Sequence, residues 1–275
     1  MIGVNRMTRL RLLALLLVLL AFAAPLGAAP EQTLDCIIEP NLLVAVASPV
    51  DGVLESVRVD RGDVVKQGDV LALLESSVDR TIVALAKARA EVEANMKSSE
   101  ARFEFGVRRF VRTDELYRKD LVPLKEMDEA ETQKVLAEIG VIEAKETQKI
   151  AELELARAEA SLRQRTIKSP IDGVVVERVL TAGEFTKQGA IVKLAQIDPL
   201  RVEVIAPVGL HGRIHQGMRA QVIPEAPFRE PVIARVKVVD RVVDAASGTF
   251  GVRVELPNPK FRLPAGLKCK VRFLD

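Results

Sequence analysis

Residues 48–74 read SPVDGVLESVRVDRGDVVKQGDVLALL, and residues 169–195 read SPIDGVVVERVLTAGEFTKQGAIVKLA, which repeats the pattern 121 positions later without a gap. Each copy alternates apolar and polar residues as short strands do. An Asp-Gly pair and two further glycines, six positions apart, supply the conformations that tight turns need. About thirty residues cannot bury enough apolar surface to fold alone. The repeat therefore predicts that both copies pack face to face in one β-sandwich.

The segment between the copies has the periodicity of a helical hairpin. Residues 79–117 contain no proline and a single glycine, and their apolar residues recur in steps of three, four and seven. Residues 124–165 repeat this pattern after the break at 119–123, through Val135, Ile139, Ile142, Ile150, Leu153 and Ala160. Two helices of about forty residues, each on the order of 60 Å long, predict an antiparallel coiled-coil hairpin.

At the amino terminus, basic, apolar and small residues follow one another in the order found in secretory signal peptides. Arg6, Arg9 and Arg11 precede the apolar run Leu12–Ala24, and small residues follow, so we expect cleavage near Ala28 or Ala29. The run is short for a membrane span, which needs about twenty residues, but an uncleaved anchor is the alternative. Either way, we expect the body of the protein to be exported. A formal net charge of +2 does not favour a nucleic-acid partner.

The repeated motifs resemble the two halves of biotinyl and lipoyl domains, split by an insertion as in periplasmic adaptor proteins, the membrane fusion proteins of the HlyD and AcrA type. In a carrier domain, an acylated lysine follows the first half-motif. That position falls on Val78 here, and Ser76–Asp79 contains no lysine. A carrier role would therefore lack its reactive group, although the resemblance in fold remains.

The resemblance implies an elongated multi-domain α+β protein. It consists of a lipoyl-like β-sandwich built from two half-motifs, an inserted antiparallel coiled-coil hairpin and a C-terminal β-barrel. We expect strands in the barrel at 201–205, 219–223, 232–239, 251–255 and 268–273, with a short helix near 209–216. The predicted segments are 1–29 (signal peptide or anchor), 30–45 (strand joining the barrel), 46–76 and 166–198 (half-motifs), 77–165 (hairpin) and 199–275 (barrel).

Two cysteines lie near the ends of the exported chain, Cys36 and Cys269. In an oxidising compartment a disulfide between them would tie the two ends together. The alternative is that each is a small buried residue on a strand. The implied barrel favours the bond, because the incoming strand would lie beside the last one.

The hairpin tip resembles that of drug-efflux adaptors that dock onto a TolC-type channel. Their tips carry an arginine, a leucine four residues later and a serine seven residues after that, and this chain has Arg112, Leu116 and Pro123. The resemblance implies that the following tip residues bind the partner: Arg112, Leu116, Asp120, Leu121, Val122 and Pro123. The local alternative is that Arg112 pairs with Asp114 or Glu115 and that Leu116 belongs to the helix seam.

The resemblance implies a periplasmic adaptor of a tripartite efflux system. The adaptor would link an inner-membrane transporter of the RND or ABC type to an outer-membrane channel, with several copies forming a ring. A type I protein-secretion adaptor is the alternative on the same scaffold. We expect no enzymatic activity and no cofactor, because the sequence shows no nucleophile paired with a base. His211 and His215, four apart and near Met218, could bind copper on one helix face, but without a firm third ligand we predict no metal site.

Overall fold

The computed structural model describes residues 33–187 and 189–274. The chain divides into two compact units. Among the described residues, one unit is Leu42–Gln196, and the other combines 33–41 with 197–274. The predicted signal segment lies outside the described residues. Within the described ranges, no helix combines the length and the apolar character needed to cross a membrane.

The first unit contains a β-sandwich formed by both copies of the repeat. The strands that contribute to it, in chain order, are β1 (Leu34–Ala47), β2 (Gly52–Val57), β3 (Val64–Val65), β4 (Val70–Leu74), β5 (Thr166–Lys168), β6 (Gly173–Arg178), β7 (Phe185–Thr186) and β8 (Ala190–Pro207). Leu54, Leu71, Val175 and Leu194 are fully buried between them. Because this core draws on both copies, neither copy could form it alone.

The two copies interlock reciprocally. β2 of the first copy pairs with β7 of the second, and β3 of the first pairs with β6 of the second. The Gly62 N–H donates to the Val175 carbonyl at 2.9 Å, and the equivalent Gly183 N–H donates to the Leu54 carbonyl at 2.7 Å. These two bonds join positions related by the same 121-residue offset, so the sequence repeat is also a structural repeat.

Gly173 marks the closest backbone approach in the sandwich. A Cβ atom at this position would overlap the Ala195 carbonyl on β8. Only glycine therefore lets β6 pair with β8 here, where Val174 is the partner of Ala195. The prediction that the Asp-Gly pairs supply turn conformations is wrong, because Gly52 and Gly173 each begin a strand and neither is at positive φ. Gly173 is needed for strand packing instead.

Three helices form the hairpin: α1 (Ser77–Ala90), α2 (Ala94–Tyr117) and α3 (Leu124–Arg163). The prediction of one continuous first helix is wrong, because Glu91–Glu93 interrupt it. Val92, expected on the apolar stripe, lies in this break and is exposed. The Gln148 side-chain amide, on α3, donates to the free Ala90 carbonyl at the end of α1. This tertiary bond satisfies the helix end in place of an intrahelical partner, and periodicity does not reveal it.

Small residues, rather than the large apolar ones, form the contact between the hairpin helices. Ala130, Ala144 and Ala158 are the buried residues of α3, and Gly106 is the buried residue of α2. A Cβ atom on Gly106 would lie 3.2 Å from the Lys134 Cα atom. The large residues predicted to form the seam of α3 are about half exposed: Val135, Ile139, Ile142, Ile150 and Leu153. The predicted seam is therefore wrong in detail, because close packing selects small side chains and leaves the large ones on the flank.

The second unit is a barrel of antiparallel strands. Its strands include β1, β8, β9 (Arg219–Pro224), β10 (Val232–Val239), β11 (Thr249–Leu256) and β12 (Lys268–Leu274). The order is β1-β12-β9-β10-β11-β8, and β1 also pairs with β8. Leu200, Val202, Val222, Val252 and Val271 alternate with outward residues and are fully buried in the core. Strands cover all five segments in which the sequence predicts them.

A disulfide joins the first and last strands of the barrel. Cys36 and Cys269 are direct partners in the pairing of β1 with β12, and their Cα atoms lie 4.9 Å apart. Both residues are buried in the barrel core. The bond therefore fixes the register of β1 against β12 in addition to the backbone ladder.

Asn258 organises the turn between β11 and β12. Its side-chain amide donates to the carbonyls of Ile197 and Leu263, each at 2.9 Å, and its side-chain oxygen accepts from the Leu263 N–H. Asn258 is buried, and these bonds pair its side-chain amide group and its side-chain oxygen with backbone groups. The turn also holds Lys260 and Phe261 at positive φ, which non-glycine residues rarely adopt.

Candidate partner-binding site at the hairpin tip

A hydrogen-bonded turn ends α2 at the tip. The Leu121 N–H donates to the Leu116 carbonyl at 3.0 Å, and the Asp120 N–H donates to the Tyr117 carbonyl at 2.9 Å. This pair of bonds is the Schellman arrangement, which requires a left-handed residue just past the helix end. Asp120 takes that position with φ of 56°. The tip is therefore a defined turn, with Asp120 where glycine is usual.

Pro123 begins the return helix. It is the N-cap of α3, with an extended backbone, and its carbonyl accepts from the Glu126 N–H at 3.0 Å. The helix therefore begins at Leu124, where the sequence predicted the second helical pattern to start. Proline has no N–H to leave unpaired, which suits this end of a helix.

Arg112 lies on α2 and its side chain is exposed. Asp114 forms its ion pair with Arg118 instead, at 2.8 Å. Within the described part of the chain, Arg112 makes no hydrogen bond or ion pair with either Asp114 or Glu115. Its guanidinium group therefore retains all its donors for an external acceptor, such as a carboxylate.

The turn presents apolar side chains to solvent. Leu121 is 65% exposed, Leu124 is 56% exposed and Tyr117 is 37% exposed. Leu116 and Val122 are half-buried. Tyr117 and Leu124 were not among the predicted site residues, although Tyr117 is the single tyrosine of the chain and Leu124 directly follows Pro123. An exposed group of Leu and Tyr near an arginine has the composition of a protein-binding surface.

The carrier-lysine position and the His211–His215 pair, both considered in the sequence analysis, do not form a binding site. Val78, at the lysine position of carrier domains, is the second residue of α1 and is exposed. The predicted helix at 209–216 is wrong, since only Val208–Leu210 form a single 3-10 turn and His211 is extended. Gly212 and Gly217, both at positive φ, break the chain there. His211 packs edge-on against Phe250 with ring centres 5.0 Å apart, so the two histidines share no helix face. No cluster of three or more His, Cys, Asp or Glu side chains that could hold a metal occurs among residues 33–187 and 189–274.

Two family models match the chain. Residues 42–196 match the model described as CzcB-like, barrel-sandwich hybrid domain. Residues 201–275 match the model described as CusB-like, beta-barrel domain. The two models therefore account for both compact units.

Two curated proteins are similar in sequence to most of this chain. The chain is 26% identical over 235 residues to the nickel and cobalt resistance protein CnrB of Cupriavidus metallidurans, which covers 85% of this chain and 55% of CnrB. It is 28% identical over 224 residues to the multidrug resistance protein MdtA of Klebsiella pneumoniae, covering 78% of this chain and 51% of MdtA. The chain thus spans about half the length of the curated relatives it matches.

A solved structure shares the fold. The crystal structure of MacA from Actinobacillus actinomycetemcomitans superposes with a TM-score of 0.74 at 21% identity. The superposition covers 88% of this chain and 77% of that chain.

Proposed function

Because the chain belongs to the periplasmic adaptor, or membrane fusion protein, family, we propose that it links an inner-membrane transporter to an outer-membrane channel in a tripartite efflux system. The hairpin tip would bind the channel, and the barrel and sandwich would face the transporter, of RND or ABC type. The observation that carries the proposal is the exposed tip, where an unpaired arginine and exposed apolar side chains occur on a defined turn. This role needs neither a cofactor nor catalysis.

The docking role assigns a different contact to each kind of tip residue. Arg112 donates hydrogen bonds to carboxylates or carbonyls of the channel. Leu121, Leu124 and Tyr117 fill apolar grooves, where burial of a leucine side chain stabilises binding by about 1.5–3 kcal/mol. Asp120 holds the turn that aims these side chains outward.

A paired substitution tests the docking role. Arg112→Asp with Leu116→Ser should abolish transport, because it reverses the charge and removes an apolar contact at the tip. The matched control is Arg102→Asp with Phe105→Ser, about three turns from the tip on the same helix α2, where both side chains are exposed. Transport should survive the control. Equal transport in the tip variant and wild type, with both proteins folded, would remove the docking role.

Crosslinking identifies the partner directly. A photoreactive residue in place of Asp120, activated in intact cells, should capture an outer-membrane channel. The same residue placed at Arg102 is the control and should capture the channel less. Capture of only further copies of this chain at Asp120 would show that the tip serves self-assembly, contrary to the proposal.

We also propose that several copies associate side by side through the hairpin flanks. The support is the row of half-exposed apolar residues on α1 and α3: Ile82, Leu85, Ile142, Ile150 and Leu153. Ile82 and Leu85 line a groove of about 370 Å³ between α1 and α3, together with Arg89 and Glu154. Ile150→Glu with Leu153→Glu should shift the particle mass of the purified protein toward the monomer, and an unchanged mass would contradict this association mode.

A further inference from the structure

Two arginines lie directly opposite each other on the outward face of the barrel. Arg219 on β9 and Arg235 on β10 are register partners in the antiparallel ladder. Their neighbours Ala220, Val222, Ala234 and Val236 point into the core, so by alternation both arginines point outward. Like charges at directly opposed positions destabilise a sheet. This pair is therefore an unfavourable feature of the barrel when nothing is bound.

No carboxylate of the described chain forms an ion pair with either arginine side chain. Neither the Arg219 nor the Arg235 side chain makes an ion pair or hydrogen bond within residues 33–187 and 189–274. Glu255, the partner of Arg235 on β11, lies 3.2 Å from the Lys237 ammonium group instead. The two arginines thus lie on neighbouring strands, which are about 5 Å apart, and their guanidinium groups retain their donors.

The side chains around the pair add positive charge and apolar surface. Arg272, on β12, donates to Gln221, which lies two residues from Arg219 on the same outward face. Leu274 is the register partner of Arg219 on β12 and is partly exposed. Ile233, two residues before Arg235, is half exposed. The patch therefore combines guanidinium groups with aliphatic flanks on both sides.

We propose that Arg219, Arg235 and Arg272 bind the phosphate groups of anionic phospholipids. A tetrahedral phosphate accepts hydrogen bonds from two guanidinium groups at once, and its charge removes their repulsion. Basic residues flanked by aliphatic side chains are typical of surfaces that lie at the boundary between headgroups and acyl chains. This inference goes beyond channel docking, and its test uses neither channel nor transport, so either proposal can fail without the other.

An environment-sensitive fluorophore beside the patch tests the proposal on the full chain. Ile233→Cys supplies one reactive thiol, because both native cysteines are in the disulfide. At low salt, the emission should shift to the blue with vesicles of equal phosphatidylcholine and phosphatidylglycerol, and much less with phosphatidylcholine alone. Arg219→Gln with Arg235→Gln should raise the half-saturating lipid concentration about thirtyfold, since each basic residue near an anionic surface contributes about fivefold.

A charge-matched control separates the patch from net charge. Arg213→Gln with Arg241→Gln removes two other exposed arginines of the same unit and should change the half-saturating concentration little. An equal loss in both double variants would overturn the proposal, as would a wild-type shift that does not depend on phosphatidylglycerol. An equal emission change with soluble glycerol phosphate would indicate a free-phosphate site and would also overturn it.

Discussion

Removing the Cys36–Cys269 disulfide should destabilise the barrel strongly. In the chain-entropy description, the bond stabilises the folded state by restricting the unfolded chain, and the effect grows with the logarithm of the loop. The sequence separation is 233 residues, which corresponds to about 5.5 kcal/mol. This value applies when both units unfold together.

The effective loop is shorter when only the barrel unfolds. The loop passes through the unit Leu42–Gln196, which the chain enters along β1 and leaves along β8, and these two strands pair with each other. A folded sandwich therefore bridges most of the loop and leaves about 80 flexible residues. The expected contribution then falls to about 4.5 kcal/mol.

The assay is urea unfolding of Cys36→Ala with Cys269→Ala, followed by hydrogen exchange of barrel amides such as that of Val252. Alanine avoids burying a hydroxyl group in the core. We expect a loss of about 4–5 kcal/mol in the barrel and no change in sandwich amides such as that of Leu194. Each single variant should lose nearly as much as the pair, because either one breaks the bond. Additive single losses, or a double-variant loss below about 1 kcal/mol, would refute the chain-entropy reasoning.

Three further substitutions test particular contacts. Gly173→Ala should unfold the sandwich or destabilise it by more than about 3 kcal/mol, because the new Cβ atom would overlap the Ala195 carbonyl. Gly183→Ala has open space around it and should destabilise the sandwich by only about 1 kcal/mol, because of its positive φ. Similar urea midpoints for the two variants would contradict this difference. Asp120→Gly should stabilise the hairpin tip by about 0.5–1 kcal/mol, read from slower exchange of the Leu121 amide, and faster exchange would count against the Schellman assignment. Asn258→Ala should cost the barrel about 3 kcal/mol in thermal unfolding, because two carbonyls and one N–H lose their partner, and an unchanged midpoint would show that water replaces the side chain.

The sequence predicted those features that depend on local pattern or on repetition. The two copies of the repeat predicted a shared sandwich, because neither could bury a core alone. Alternation predicted the barrel strands, and β10 begins and ends at the predicted residues, Val232 and Val239. Family resemblance supplied the placement of the incoming strand beside the last one, which alternation cannot give and which the pairing of β1 with β12 confirms.

The errors arose where tertiary contacts decide the outcome. The break between α1 and α2 carries no proline or glycine, and Gln148, more than fifty residues away, satisfies its carbonyl. The hairpin seam was assigned to large apolar residues because periodicity detects hydrophobicity, but close helix contact selects Ala130, Ala144 and Gly106. At the tip, the motif indicated Arg112 and Leu116, whereas the exposure of Tyr117 and Leu124 depends on how the turn directs them.

The base of the hairpin explains how arm length could change during evolution. The Leu74 N–H donates to the Arg165 carbonyl at 2.8 Å, and the Arg165 side chain binds Asp79 at 3.0 Å. These contacts hold the outgoing and returning chain together just beside the sandwich. Matched insertions or deletions further along both helices would leave that junction intact. A gene encoding this chain could therefore lengthen or shorten the arm for envelopes of different depth without altering the domain that carries it.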